Sequence, residues 1–168
     1  MLVFFSFFHS SLSPNVEIGS TWAPFGVKVF NPFQIPLPDT VILISFGISV
    51  TWAHHTLIIG NYSQTKIGLI ITVVLGFYFS MLQILEYFEA RFTFADSIYG
   101  STFFIATGFH GPHVIIVTLF LIVILIRHIK CEFRKNHYFG FEAAAWYWHF
   151  VDVVWLFLYK IIYWWGSI

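Results

Sequence analysis

Three stretches of this chain carry no Asp, Glu, Lys or Arg at all: 40–65, 67–85 and 97–126, which are 26, 19 and 30 residues long. About 20 largely apolar residues form a helix that crosses some 30 Å of hydrocarbon. Each run therefore reads as a membrane span. A fourth, 143–165, is interrupted only by Asp152 and Lys160. Trp146 and Trp148 stand at one end of it and Trp164 and Trp165 at the other, about 27 Å apart along a helix. That placement fits the aromatic belts of two membrane interfaces.

Composition agrees with lipid as the surroundings. Of 168 residues, 58% are hydrophobic and 10% charged, against about 25% charged in a soluble protein. Eight basic residues balance eight acidic ones, which removes the electrostatic footprint needed for nucleic acid. Cys131 is the one cysteine, so a disulfide framework and a thiolate metal cluster are both excluded.

The segment 1–12 is apolar but too short to span, and it lacks the basic start and small-residue cleavage site of a signal peptide. It reads as the end of a helix that begins elsewhere. Pro14, Pro24, Pro32, Pro36 and Pro38, with Gly19 and Gly26, make 13–39 an interfacial loop. The expected fold is all-α: a polytopic transmembrane helix bundle of four full spans plus the end of a fifth helix at the N-terminus. It forms one domain over 1–168, with spans at about 40–60, 66–88, 97–127 and 140–165. Lys66, Arg127, Lys130, Arg134 and Lys135 lie on one side, and Lys28, Arg91 and Lys160 on the other. The positive-inside rule then places the 127–142 loop inside and the C-terminus outside.

Polar residues in a span are costly and point to function. His110 and His113 flank Pro112 in the third run. His149 and Asp152 lie in the fourth, with Glu142 two turns earlier on the same face, and Glu86 and Glu89 end the second. Such carboxylates and imidazoles could build a di-iron bundle or ligate haem. Di-iron fails on position, because with alternating helices the glutamates fall about 10 Å from the histidines. A haem-binding electron carrier using His110, His113 or His149, and a proton relay along Glu142, His149 and Asp152, remain open beside interhelical hydrogen bonding. His54 and His55 suit headgroup contacts at the inner interface. Arg127, Lys130 and His137 could hold an anionic phospholipid headgroup.

Several segments resemble cytochrome c oxidase subunit III. They are Ser10-Ser-Leu12 after His9, Thr51-Trp-Ala-His-His55, Glu86-Tyr-Phe-Glu-Ala90, Asp96-Ser-Ile-Tyr-Gly-Ser-Thr-Phe-Phe104, Gly108-Phe-His-Gly111 and Phe139-Gly-Phe-Glu-Ala-Ala-Ala-Trp-Tyr-Trp-His-Phe-Val-Asp-Val-Val-Trp155. The resemblance implies a non-redox subunit with no metal of its own, beside a subunit I that bears haem a and copper. It implies a role in stabilising that subunit and its proton-uptake side, accessory subunits around it, and phospholipid in a cleft. Carried over by position, Arg127, Lys130, His113 and His137 are the lipid-contacting residues. His110, His149, Asp152, Glu142 and Glu86 are intramembrane polar residues of helix interfaces.

The chain also departs from the family pattern. Family members have seven spans and this sequence opens within the third, so a membrane-embedded glutamate early in that helix lies upstream of Met1. The expectation is a split subunit whose N-terminal helices form a separate polypeptide. Arg91 and Pro112 stand where the family more often has a proline and an aliphatic residue, and Glu132 lowers the charge of the basic loop. With no presequence and much Phe and Ile, the mitochondrial inner membrane is the expected location, and a bacterial plasma membrane the alternative.

Overall fold

The structure, a computed structural model, describes residues 5, 6, 9, 12, 31, 33–95, 97–130 and 139–165. Most of the expected helix end at 1–12 and of the loop at 13–39 lies outside the described residues, as does His137. Four helices make up the rest: α1 Pro36–Ile59, α2 Tyr62–Glu89, α3 Ile98–Ile129 and α4 Phe139–Leu158. The last continues as a π-helical segment, Tyr159–Trp164.

Helix α1 starts four residues before the expected span. Pro36 lies in its opening turn, where a proline loses nothing because its missing N–H has no helical acceptor and its φ is already helical. The prolines that read as breakers thus start the helix, and Asp39, expected in the loop, lies inside it. At the other end Gly60 adopts φ 85°, which a residue without Cβ reaches freely. Its N–H bonds the Leu57 carbonyl at 3.1 Å and that of Asn61 bonds Thr56 at 3.0 Å, which closes a Schellman turn. Asn61 then caps α2 by accepting from the Gln64 N–H at 3.4 Å. Two residues thus reverse the chain. Ser97 caps α3 from the Gly100 N–H at 3.0 Å, and α3 runs unbroken through Pro112.

Helices α1, α2 and α3 are long and apolar enough to cross a membrane. The fourth carries Glu142, His149, Asp152 and three tryptophans, which lower its hydropathy. The helices alternate in direction, and each packs on its neighbours in order, with α4 returning to α1. One end of the bundle, called upper here, holds the starts of α1 and α3 and the ends of α2 and the π-helical segment. The lower end holds the remaining termini.

Apolar residues cover both the inside and the outside. The buried positions of α2 are Thr65, Gly68, Leu69, Thr72, Gly76, Phe79, Gln83 and Glu86, a stripe at steps of three and four that is richer in small and polar residues than the lipid face. In lipid no hydrophobic force separates the two faces, so close backbone approach and hydrogen bonding drive helix packing. A Cβ on Gly68 would stand 3.0 Å from that of Ala53, and one on Gly76 would stand 2.7 Å from Thr118 Oγ1 and 2.8 Å from the Phe46 ring. Phe46 in turn stacks on Trp148 with ring centroids 3.5 Å apart.

Candidate functional site

The polar groups of the spans face one another across the helix seams. Between α1 and α2, Ser49 and Thr72 share a hydrogen bond of 3.0 Å and the Thr65 hydroxyl donates to that of Thr56 at 3.1 Å. Between α2 and α3, the Tyr87 hydroxyl donates to Thr107 at 2.9 Å. At the lower end of the same seam, His128 Nε2–H donates to the Tyr62 carbonyl at 3.1 Å. Between α3 and α4, His110 meets the Val151 carbonyl at 3.3 Å. A carbonyl only accepts, so Nε2 of His110 carries the proton there. Trp155 closes the ring of seams by donating from Nε1 to Thr40 on α1 at 3.2 Å. Every neighbouring pair of helices therefore has at least one side-chain hydrogen bond across it.

The residues picked out from the sequence divide among several places. His110 is buried against Trp155 and Phe79. His113, one turn further on, is exposed and bonds the Tyr147 hydroxyl through Nδ1. His149 is exposed, while Asp152 is partly buried. A Cβ on Gly47 of α1 would lie 3.6 Å from both Asp152 Oδ2 and Trp148 Nε1, so Asp152 and Trp148 meet over the gap that this glycine leaves. Glu142 is about half exposed and lies 3.9 Å from His54, whose ring stacks on Phe141. Glu142 therefore faces α1 at the lower end. Arg127 and Lys130 are exposed at the lower end of α3. Fourteen residues, about 21 Å of helix, separate Arg127 from His113. Among the described residues, no three His, Cys, Asp or Glu side chains converge as a metal site.

Glu86 is completely buried at the upper end. Two residues at the same end that the sequence does not single out for function, Asp39 and Tyr163, are also completely buried. The signal for Asp39 was an acid directly before an uncharged run. For Tyr163 there was none beyond its place in an aromatic cluster.

This arrangement defines an integral membrane helix bundle whose interior polar groups are spent mainly on tying helices together. The sequence model of the family described as Cytochrome c oxidase subunit III matches residues 1–167, and the chain belongs to that family. It is 65% identical to Cytochrome c oxidase subunit 3 of Anopheles gambiae and 67% identical to that of Drosophila melanogaster, each over 164 residues that cover 98% of this chain and 63% of the relative. The Petromyzon marinus protein of the same name is 59% identical over the same 164-residue length, again 98% of this chain and 63% of that protein. The chain thus spans less than two thirds of the length of these relatives.

Proposed function

We propose that the chain serves as a non-catalytic, non-redox subunit of cytochrome c oxidase, the respiratory enzyme that reduces O2 to water and pumps protons. It stabilises the catalytic subunit I and its proton-uptake side, and holds phospholipid. Haem a and copper reside in partner subunits. The observation that carries this reading is how the intramembrane histidines are engaged. His110 bonds the Val151 carbonyl and His113 bonds Tyr147, as residues that join helices do. Arg127 and Lys130, exposed where α3 meets the interface, suit an anionic headgroup, with His137 following in the basic loop and His113 as a contact deeper in the membrane.

The chain resides in the mitochondrial inner membrane, with the 127–142 loop in the matrix and the C-terminus in the intermembrane space, as the distribution of Lys and Arg favours. Accessory subunits complete the assembly.

The test is to recover the tagged chain from mild-detergent membranes, record a reduced-minus-oxidised spectrum and identify all co-purifying polypeptides. The expected result is haem a and copper arriving with large oxidase subunits, and no haem on this chain once it is separated. A chain that comes alone and keeps its own haem or iron refutes the reading.

A further inference from the structure

Contacts between α1 and α4 recur at seven-residue steps. On α1 they fall at Thr40, Gly47 and His54, and on α4, which runs the other way, at Trp155, Trp148 and Phe141. Seven residues are close to two helical turns, so each set lies along one face. In the upper contact Trp155 Nε1–H donates to the Thr40 hydroxyl at 3.2 Å, and that hydroxyl in turn donates to the Pro36 carbonyl at 2.9 Å. In the lower contact the rings of Phe141 and His54 stack with centroids 5.4 Å apart.

The middle contact repeats the indole without the hydroxyl. Trp148 is completely buried and its Nε1–H has no hydrogen-bond partner, whereas a buried indole N–H normally finds one. Gly47, midway along α1, faces it. A Cβ on Gly47 would lie 3.6 Å from Trp148 Nε1 and 3.6 Å from Asp152 Oδ2, and no other atom of a neighbouring helix would come within 4 Å of it. An orphaned donor and a carboxylate oxygen thus border the recess that the Thr40 side chain fills two turns above.

The donor does not reach the carboxylate directly. Stacking on Phe46, with centroids 3.5 Å apart, fixes the plane of the Trp148 ring and with it the direction of its N–H. Asp152 sits one turn further along α4, and its Oδ1 is without a partner as well. What completes this contact must accept from an N–H and donate to a carboxylate. An anion cannot donate and a metal ion cannot accept. Water does both, and two to four such partners suffice to hold it inside a protein.

We propose that the α1–α4 seam binds one ordered water molecule over Gly47, which accepts from Trp148 Nε1–H and donates to Asp152 Oδ2. The water takes the part that the Thr40 hydroxyl plays at the upper contact. It lets α1 close over the polar pair of α4 without stranding either group in a dry interior, and Gly47 supplies the room.

The test compares wild type, Gly47→Ala and Gly47→Ser in the membrane assembly that contains this chain, purified in mild detergent. The readouts are the thermal midpoint for release of the chain and a density map that shows ordered water. Wild type should show an isolated oxygen peak about 2.7–3.2 Å from both Trp148 Nε1 and Asp152 Oδ2. Gly47→Ala adds a methyl that fits at ordinary contact distance but displaces the water. Its midpoint should fall by a few degrees, although helix propensity alone would raise it. Gly47→Ser is larger still, yet its hydroxyl stands in for the water, so it should recover most of that loss. A loss that grows with side-chain size, with Gly47→Ser below Gly47→Ala, means overpacking and overturns the proposal. So does a Gly47→Ala midpoint at or above wild type, or a wild-type map in which Trp148 bonds Asp152 directly or no peak stands between them. If Gly47→Ala does not assemble, the wild-type map decides.

Discussion

Gly76→Ala tests the view that close backbone approach, rather than apolarity, holds this bundle together. The added Cβ would lie 2.7 Å from Thr118 Oγ1, 3.1 Å from Thr118 Cγ2 and 2.8 Å from Phe46 Cε2. Neither neighbour yields easily. The Thr118 hydroxyl is bound to the Val114 carbonyl at 2.8 Å, and Phe46 is pressed on Trp148. Overpacking of this kind costs about 1–3 kcal/mol, while replacing glycine within a helix returns up to about 1 kcal/mol. Gly108→Ala provides the reference, since its nearest neighbour, the Tyr87 hydroxyl oxygen, would be 4.0 Å away. The helix-propensity gain cancels between the two variants, and the expected difference is the whole overpacking cost of about 1–3 kcal/mol. Adding Thr118→Ala removes two of the three close atoms. It should recover part of the loss, with a coupling on the order of 1 kcal/mol in a double-mutant cycle. Thermal unfolding in detergent, followed by near-ultraviolet circular dichroism, measures all of these. Equal stability of Gly76→Ala and Gly108→Ala, or strict additivity with Thr118→Ala, would refute the reasoning.

Three further outcomes follow from the same geometry. Trp155→Phe breaks the bond to Thr40 and leaves space at the meeting of α1, α3 and α4, so it should cost about 1–3 kcal/mol; a neutral result in thermal unfolding would mean that this seam carries no energy. Gly60→Ala forces a side chain into the left-handed region, where nothing crowds it but the backbone is strained, at a cost of about 1–2 kcal/mol. Hydrogen exchange at the Asn61 amide should then speed up, and unchanged protection would argue against the Schellman turn. Tyr147→Phe removes the partner of the exposed His113 and should lower stability by only about 0.6 kcal/mol; a loss of several kcal/mol would place that pair in the interior instead.

The spans were legible because charge is so costly in lipid that its absence over 19 residues or more leaves few alternatives. The lower ends were legible too, since Lys66 and Arg127 mark them. The inward faces were harder. Ile70 and Leu69 are equally apolar, yet one is exposed and the other buried, and only the small and hydroxyl-bearing residues between Thr65 and Gly76 mark the inner stripe. The start of α1 is hard to read from sequence because Pro36 and Pro38 break a helix interior but open a helix well, and sequence does not say which position they hold. The same ambiguity conceals that Asp39 lies inside the helix. Glu86 was recognised as polar within a span, but the buried polar residues at its end of the bundle come from positions 47 residues before it and 77 after it, a placement fixed only once α4 has packed back on α1.

The two-residue link at Gly60 and Asn61 has a consequence for how this protein is made. Such a connection has no slack, so α1 cannot settle across the bilayer while α2 waits in the aqueous channel of the insertion machinery. The pair must partition into lipid as one hairpin, with Ser49, Thr56, Thr65 and Thr72 already satisfied against each other before α3 and α4 arrive.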